Sequence, residues 1–356
     1  MKALVVKRLA ASTYKYAESL NQSGNLLAAA EGFLSVSNVS PRSSVSAQAE
    51  YDAAVAYIKL EKWVEAINIL EQFRIRYPSH NLQAGVTDKL AACYEKNKQF
   101  SLAANEILRI GKRSKNTETY KDATLQAAGL YEKDTSRKLA INTYKSYVRD
   151  FKLSQDESLE IKQKLADLYV ETGEIKKRHF WLKNIASTNR KGKHFSDRSK
   201  YILASASIYI ANEKMSLYTK ADLTHPLKKS LKRKQKLMKS ALLAYEDVSD
   251  IGVEEFTTAA TFNIASIYQH LGSAIMKSQR PLKLNPEERE EYDLLLEEQA
   301  FPFEEKAIKI YELNVHRIAD GVYDDWVQKS LTQLGLIQPA RYGKQEVLDE
   351  MYTSID

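Results

Sequence analysis

The chain has 356 residues, with 53 Lys and Arg against 46 Asp and Glu and a net charge of +7. This excess is mild for the length, so charge by itself does not indicate a nucleic-acid-binding protein. Cys93 is the one cysteine, which excludes an internal disulfide bond and a structural zinc site built from cysteines, and the scarcity of Gly (12) and Pro (7) favours long helices with short connections.

The first predicted elements are four helical pairs between residues 1 and 152. Ala54, Ala91 and Ala128 recur at a spacing of 37 residues, and each has a Tyr three residues later and a second Ala twelve residues later. The same pattern, placed 37 residues upstream, begins at Ala17. Two helices need small residues where they cross closely, and large rings fill the space beside the crossing. The spacing therefore predicts four regular 37-residue units, each with a helix A and a helix B.

Residues 153–356 repeat the pattern in an altered form. Three further units, each again with a Tyr three residues after the Ala, begin at Ala166, Ala206 and Ala265. Displaced second helices in the last two units indicate insertions, and a single helix with Trp326 is expected to cap the array. The two charged insertions and the capping helix are predicted at 216–239, 277–305 and 324–336.

This order of small, large, small and aromatic positions over two helices resembles the tetratricopeptide repeat (TPR), whose usual unit has about 34 residues. The resemblance implies an all-α fold, an α-solenoid of about seven TPR-like helix pairs with a C-terminal capping helix. The longer unit implies longer B helices or looser turns. A HEAT-type solenoid, with a repeat of roughly 40 residues, is the alternative, but it gives no reason for the Ala and Tyr spacing.

Two parts of the sequence resemble bacterial envelope proteins. The ending Phe73-Arg74-Ile75-Arg76-Tyr77-Pro78-Ser79 is similar to helix B endings in the outer-membrane assembly lipoprotein and the Tol-associated periplasmic coordinator. The segments 302–307, 321–326 and 338–342 resemble the ends of large TPR proteins of gliding-motility and Ton- or Tol-like systems. The resemblance implies a periplasmic or envelope location if the chain is part of a longer exported protein, and otherwise a cytoplasmic one. No signal peptide or transmembrane segment is visible in the sequence.

No catalytic, cofactor-binding or metal-binding site is predicted. The six histidines are never three to five residues apart, so they provide no helical metal pair, and no phosphate-binding loop or nucleophile elbow occurs. Cys93 lies beside Tyr94 on a predicted helix A, where the other units carry small or apolar residues. Such a cysteine is expected to be packed and unreactive. The sequence thus favours a protein that is not an enzyme and uses no cofactor.

In a TPR array the A helices line a concave surface, and this surface is predicted to bind another protein or a peptide. The predicted partner-binding residues are Tyr14, Lys15, Tyr51, Asp52, Val55, Lys59, Lys89, Lys96 and Gln126. This mixture of rings, cations and a carboxylate suits a segment with apolar and charged side chains. The predicted function is therefore a protein–protein interaction scaffold, and an ordinary solvated face is the alternative for these residues.

The two insertions have opposite charge. The first is predicted to form an amphipathic basic helix that carries Lys228, Lys229, Lys232, Arg233, Lys236 and Lys239. An alternative function is therefore an adaptor that binds nucleic acid or an anionic surface through residues 228–239, with any membrane contact only peripheral. Nucleic acid is disfavoured because no aromatic interleaving and no nucleic-acid-binding signature accompany the lysines. The second insertion is acidic, and ion pairs are expected between residues 228–239 and 286–298.

Overall fold

The computed structural model describes residues 2–41, 44–281 and 283–343. This part of the chain contains sixteen α-helices and one 3-10 helix, and no strand occurs in it. Contacts between residues divide the chain into two units, Met1–Leu153 and Ser154–Asp356. Within each unit, every helix packs on the next helix in the chain. The predicted all-α fold of repeated helical pairs, an α-solenoid, is confirmed.

The first unit consists of four helical pairs in which odd-numbered helices are A and even-numbered helices are B. Its helices are α1 (Lys2–Gln22), α2 (Leu26–Val39), α3 (Ser44–Lys59), α4 (Trp63–Arg76), α5 (Gln83–Lys96), α6 (Phe100–Arg113), α7 (Thr117–Lys133) and α8 (Arg137–Asp150). Ala54, Ala91 and Ala128 lie on α3, α5 and α7 and are all buried, which confirms the prediction for these positions. A methyl group there leaves room for the close approach of the neighbouring helix.

The turn between helices A and B has the same conformation in all four pairs of the first unit. Its middle residue has a positive φ, with values of 83° at Gly24, 57° at Glu61, 59° at Lys98 and 55° at Thr135. The next residue donates its N–H to the carbonyl oxygen five residues earlier, as from Asn25 to Leu20 at 2.9 Å. This bond closes a helix end through a left-handed residue, a conformation that only Gly adopts without steric cost.

We expect Thr135→Gly to raise the free energy of unfolding by about 1 kcal/mol, because a β-branched residue is strained at positive φ. Gly24→Ala is the matched reverse change. No atom lies within 4 Å of the added methyl group, so only the backbone conformation opposes it, and a loss of about 1 kcal/mol is expected. Urea denaturation followed by circular dichroism measures both. Equal midpoints for both variants and the wild type would show that the turn is unstrained.

Two buried carboxylates join consecutive pairs of the first unit through the end of α4. Glu50 on α3 accepts a hydrogen bond from Ser37 on α2 at 2.6 Å and another from Arg76. Glu106 on α6 accepts two bonds from the guanidinium group of Arg74, at 2.8 and 2.7 Å. A buried carboxylate is costly unless it is paired. These bonds therefore tie the end of α4 to both α3 and α6.

The second unit begins with two shorter helices, continues with four long ones and ends with short ones. It contains α9 (Gln155–Glu171), α10 (Ile175–Ala186), α11 (Asp197–Thr219), α12 (Leu227–Ser249), α13 (Glu254–Met276), α14 (Pro286–His316), a 3-10 helix (Arg317–Asp320), α15 (Asp325–Ile337) and α16 (Pro339–Tyr342). Ala241 and Tyr245 on α12, like Ala307 and Tyr311 on α14, are completely buried. None of the described helices combines the length and the apolar character needed to cross a membrane.

The helices that contain the two insertions, α12 and α14, bury apolar residues against α13 and expose their charges. Met238 and Tyr245 of α12 and Leu296 of α14 belong to one buried cluster with residues of α13. No ion pair among the described residues joins 228–239 to 286–298, so the expected pairing of the insertions is wrong. The acidic segment instead pairs with Arg280, whose Nε lies 2.7 Å from Asp293 Oδ1. Since the apolar side of each helix packs on α13, the charged sides face solvent.

Candidate partner-binding surface

The predicted partner-binding residues all lie on odd-numbered helices of the first unit, and we name them the odd-helix face. They are Tyr14 and Lys15 on α1, Tyr51, Asp52, Val55 and Lys59 on α3, Lys89 and Lys96 on α5, and Gln126 on α7. Residues three, four or seven positions apart lie on one side of a helix, which is why α3 contributes four of them and α5 contributes two.

A hydrogen bond between side chains joins α1 to α3 on this face. The Tyr14 hydroxyl donates to Asp52 Oδ2 at 2.7 Å, and Gln48 Nε2 donates to the same carboxylate at 3.1 Å. The Tyr14 ring packs on Phe33, with 5.3 Å between ring centres. Burial raises the pKa of Tyr14, and the bond to Asp52 raises it further. The hydroxyl therefore stays protonated at neutral pH and holds the carboxylate in place.

The second link joins α3 to α5 through Tyr51. Lys89 Nζ lies 5.2 Å from the centre of the Tyr51 ring, within the range of a cation–π contact. The Tyr51 ring also lies near the Phe73 ring, with 6.3 Å between ring centres. The Tyr51 hydroxyl passes over Gly85, where a Cβ atom would lie only 2.6 Å from it. The absence of a side chain at Gly85 thus lets Tyr51 lie across the start of α5.

The remaining polar residues of the odd-helix face are exposed to solvent. An open groove of about 330 Å³ between α1 and α3 is lined by Ala11, Tyr14, Lys15, Glu18, Val45 and Gln48. Val55 is half-buried, while Lys15, Lys59, Lys96 and Gln126 are exposed. Among the described residues, none of these four forms an ion pair with another member of the face. The structure therefore brings together Tyr14 with Asp52 and Tyr51 with Lys89, and leaves the other cations of the face exposed to solvent.

The second predicted surface is the basic face of α12. Its six cations are all exposed: Lys228, Lys229, Lys232, Arg233, Lys236 and Lys239. None of them forms an ion pair within the part of the chain described. At about 100° per residue they occupy one side of the helix, opposite the buried side that contains Met238 and Tyr245. The structure thus places these cations together on one solvated surface.

Lys234 is a residue of α12 whose role the sequence analysis missed. It stands in the midst of the basic run, yet its side chain is buried. A signal for this was present, because Lys234 falls in the apolar stripe of the helix, four residues before Met238 and seven before Ala241. The apolar stripe was hard to recognise at this position because several of the residues around Lys234 are also lysines or arginines.

The described residues contain no group of three or more His, Cys, Asp or Glu that could hold a metal ion. Cys93 is completely buried on α5. Burial raises the pKa of its thiol to about 11, and the nearby Lys89 only partly opposes this. The thiolate that nucleophilic chemistry requires is therefore scarce at neutral pH. The expectation that Cys93 is packed is confirmed.

No protein-family model matches the chain, and no curated protein matches it. Among solved structures, a kinesin light chain of Podosopora anserina with nearly identical TPR-like repeats is 18% identical over 57% of this chain and 98% of that chain, with a TM-score of 0.30. The C-terminal part of a TPR repeat-containing protein from Cytophaga hutchinsonii is 16% identical over 83% of this chain and 98% of that chain, with a TM-score of 0.31. The TPR domain of P58(IPK) is 14% identical over 94% of this chain and 99% of that chain, with a TM-score of 0.27. At these TM-scores the similarity carries no further argument. The assignment of repeated helical pairs therefore rests on the helices of this chain itself.

Proposed function

We propose that the chain is a protein–protein interaction scaffold and that a segment of another protein binds the odd-helix face of the first unit. The observation that supports this most directly is the row of linked side chains across three A helices. Tyr14 bonds to Asp52, and Tyr51 contacts Lys89. Side chains that hold one another are already ordered, so a partner that binds them loses little conformational entropy.

The chemistry of the odd-helix face suggests what the partner segment carries. Tyrosine rings provide large amphipathic contact area at low entropic cost, and the groove beside Tyr14 admits an apolar side chain. Lys15, Lys59 and Lys96 are exposed around these rings and suit acidic groups on the partner. Binding of this kind requires neither a catalytic group nor a cofactor, so the proposed function is not enzymatic.

We further propose that the partner belongs to a bacterial envelope complex. Support comes from the resemblance of the segment 73–79, and of segments near the C-terminus, to envelope TPR proteins. Fractionation of the native host tests the compartment: the chain should be found with periplasmic or membrane-associated proteins. Recovery with the cytoplasmic fraction alone would contradict the envelope proposal and leave the scaffold proposal in place.

Tyr14→Ala combined with Tyr51→Ala should weaken partner binding by about 2–4 kcal/mol, which is roughly 30- to 1000-fold in affinity, because aromatic residues at an interface centre carry much of its energy. The tagged chain and the double variant are purified from the native host, and co-purified proteins are quantified by mass spectrometry. Tyr16→Ala is the matched control, since Tyr16 lies on α1 but is 64% exposed and outside the face. Circular dichroism must show equal helix content. Unchanged capture by the double variant would place the partner site elsewhere.

The exposed basic face of α12 favours a second candidate function, an adaptor on nucleic acid or an anionic surface. Reversal of Lys232, Arg233 and Lys236 to Glu in the same purification separates the two functions. If the reversal removes co-purified nucleic acid or anionic lipid, and the tyrosine changes leave protein capture intact, the adaptor function is supported. If protein capture responds only to the tyrosine changes, the scaffold function is supported.

A further inference from the structure

Lys234 on α12 is an ammonium group almost completely removed from solvent, with an exposed fraction of 1%. Its Nζ donates to the carbonyl oxygens of Ala221 at 2.7 Å and Tyr218 at 3.2 Å, where α11 ends. It also lies 4.7 Å from the centre of the Tyr218 ring. All of these partners are neutral, and Lys234 forms no ion pair among the described residues. Fully buried lysines are rare without a negative partner, because removal of a charge from water is costly.

A cavity of about 490 Å³ lies beside this lysine, between α11, α12 and α13. Its lining includes Asp222, Lys234, His270, Ser273, Lys277 and Ser278. Two lining residues contain buried polar atoms without a hydrogen-bond partner, namely His270 Nδ1 and Ser278 Oγ. The Ser278 residue is only 5% exposed. Since buried polar atoms nearly always have partners, a ligand that supplies them would explain both.

The charge around the cavity is unbalanced in favour of cations. Lys234 and Lys277 contribute two positive charges, and Asp222 contributes one negative charge. Burial, together with these two lysines, lowers the pKa of His270, so the imidazole is neutral at pH 7. The Tyr218 ring lies 5.2 Å from the His270 ring, and its hydroxyl is fixed by a 2.8 Å bond to the carbonyl oxygen of Ile267. The titratable residues of the lining thus carry a net positive charge.

We propose that this cavity binds a small molecule through an oxyanion, either a phosphate or a carboxylate group. The charge of the oxyanion offsets that of Lys234 and Lys277, and its oxygens accept hydrogen bonds from the Ser278 hydroxyl and the His270 N–H. Lys234 has two roles in this arrangement, because it also donates to the carbonyl oxygens of Tyr218, in the last turn of α11, and of Ala221, just after that helix. The site lies in the second unit and is independent of the odd-helix face.

Isothermal titration of the full chain with inorganic phosphate, and separately with succinate, tests the proposal at constant ionic strength. One oxyanion per chain should bind saturably. The anion with the higher affinity shows whether the site prefers a phosphate or a carboxylate group. Lys277→Met should weaken binding by about tenfold or more, as expected when a charged hydrogen-bonding group is lost. Lys277 is exposed and forms no ion pair in the described residues, so this change spares the fold. Ser278→Ala should weaken binding as well.

Lys236→Met is the matched control, because it removes the same charge from the solvated side of α12. It should leave the affinity unchanged. Lys234→Met should abolish binding, and circular dichroism shows whether α11 and α12 remain helical in that variant. Absence of saturable binding by either anion to the wild type would overturn the proposal. An equal loss of anion affinity in Lys236→Met and Lys277→Met would also overturn it, because binding would then reflect only the general positive charge of the surface.

Discussion

Phe73→Ala should destabilise the first unit by about 3–5 kcal/mol, the cost of a large cavity in a packed core. Phe73 lies on α4 with an exposed fraction of 0%. Three aromatic rings surround it, those of Tyr77, His80 and Tyr51, with ring-centre distances of 5.0, 5.6 and 6.3 Å. The change removes these contacts together, and the rigid helices on both sides cannot close the space. The result is measured as a lower midpoint in urea denaturation.

Ile75→Ala is the control for this prediction. Ile75 is on the same helix, two residues further on, and is 74% exposed. Its replacement should change stability by less than about 0.5 kcal/mol, because few contacts are lost and Ala is the better helix former. If Phe73→Ala and Ile75→Ala gave equal midpoints, Phe73 would not be part of the core that α3, α4 and α5 share.

Gly111→Ala should lower the free energy of unfolding by about 1–2 kcal/mol, although Ala favours helices. Gly111 is buried on α6, where an added Cβ atom would lie 2.6 Å from Ala123 Cβ and 3.0 Å from Tyr120 Cδ2 on α7. Ala123 Cβ is fixed to its backbone, so the two helices must separate. Overpacking of this kind costs about 1–3 kcal/mol, and improved helix propensity returns at most about 1 kcal/mol.

Gly129→Ala is the same chemical change on α7 and should have the opposite sign. No atom lies within 4 Å of the Cβ position there, so the gain in helix propensity, about 1 kcal/mol, is unopposed. Denaturation of both variants under identical conditions gives the comparison. A stabilising Gly111→Ala would mean that α6 and α7 do not approach as closely as the structure shows.

The sequence by itself determined the fold class and much of the core. Ala54, Ala91 and Ala128 are buried as their spacing predicted, and so are Tyr57, Tyr94 and Tyr131 beside them. This succeeded because the pattern is local and repeated: each helix must bury one stripe, and the period of the helix sets which residues form it. The placement of the odd-helix face residues on A helices follows from the same register.

The tertiary structure alone decided the contacts that depend on how separate helices meet. The expected pairing of the charged insertions is wrong because both helices bury their apolar sides against α13, which turns the charges outward. The Tyr14–Asp52 bond, the burial of Lys234 and the cavity beside it each depend on the distance between separate helices. Periodicity specifies which side of a helix is buried, but not which atoms of the neighbouring helix lie against it.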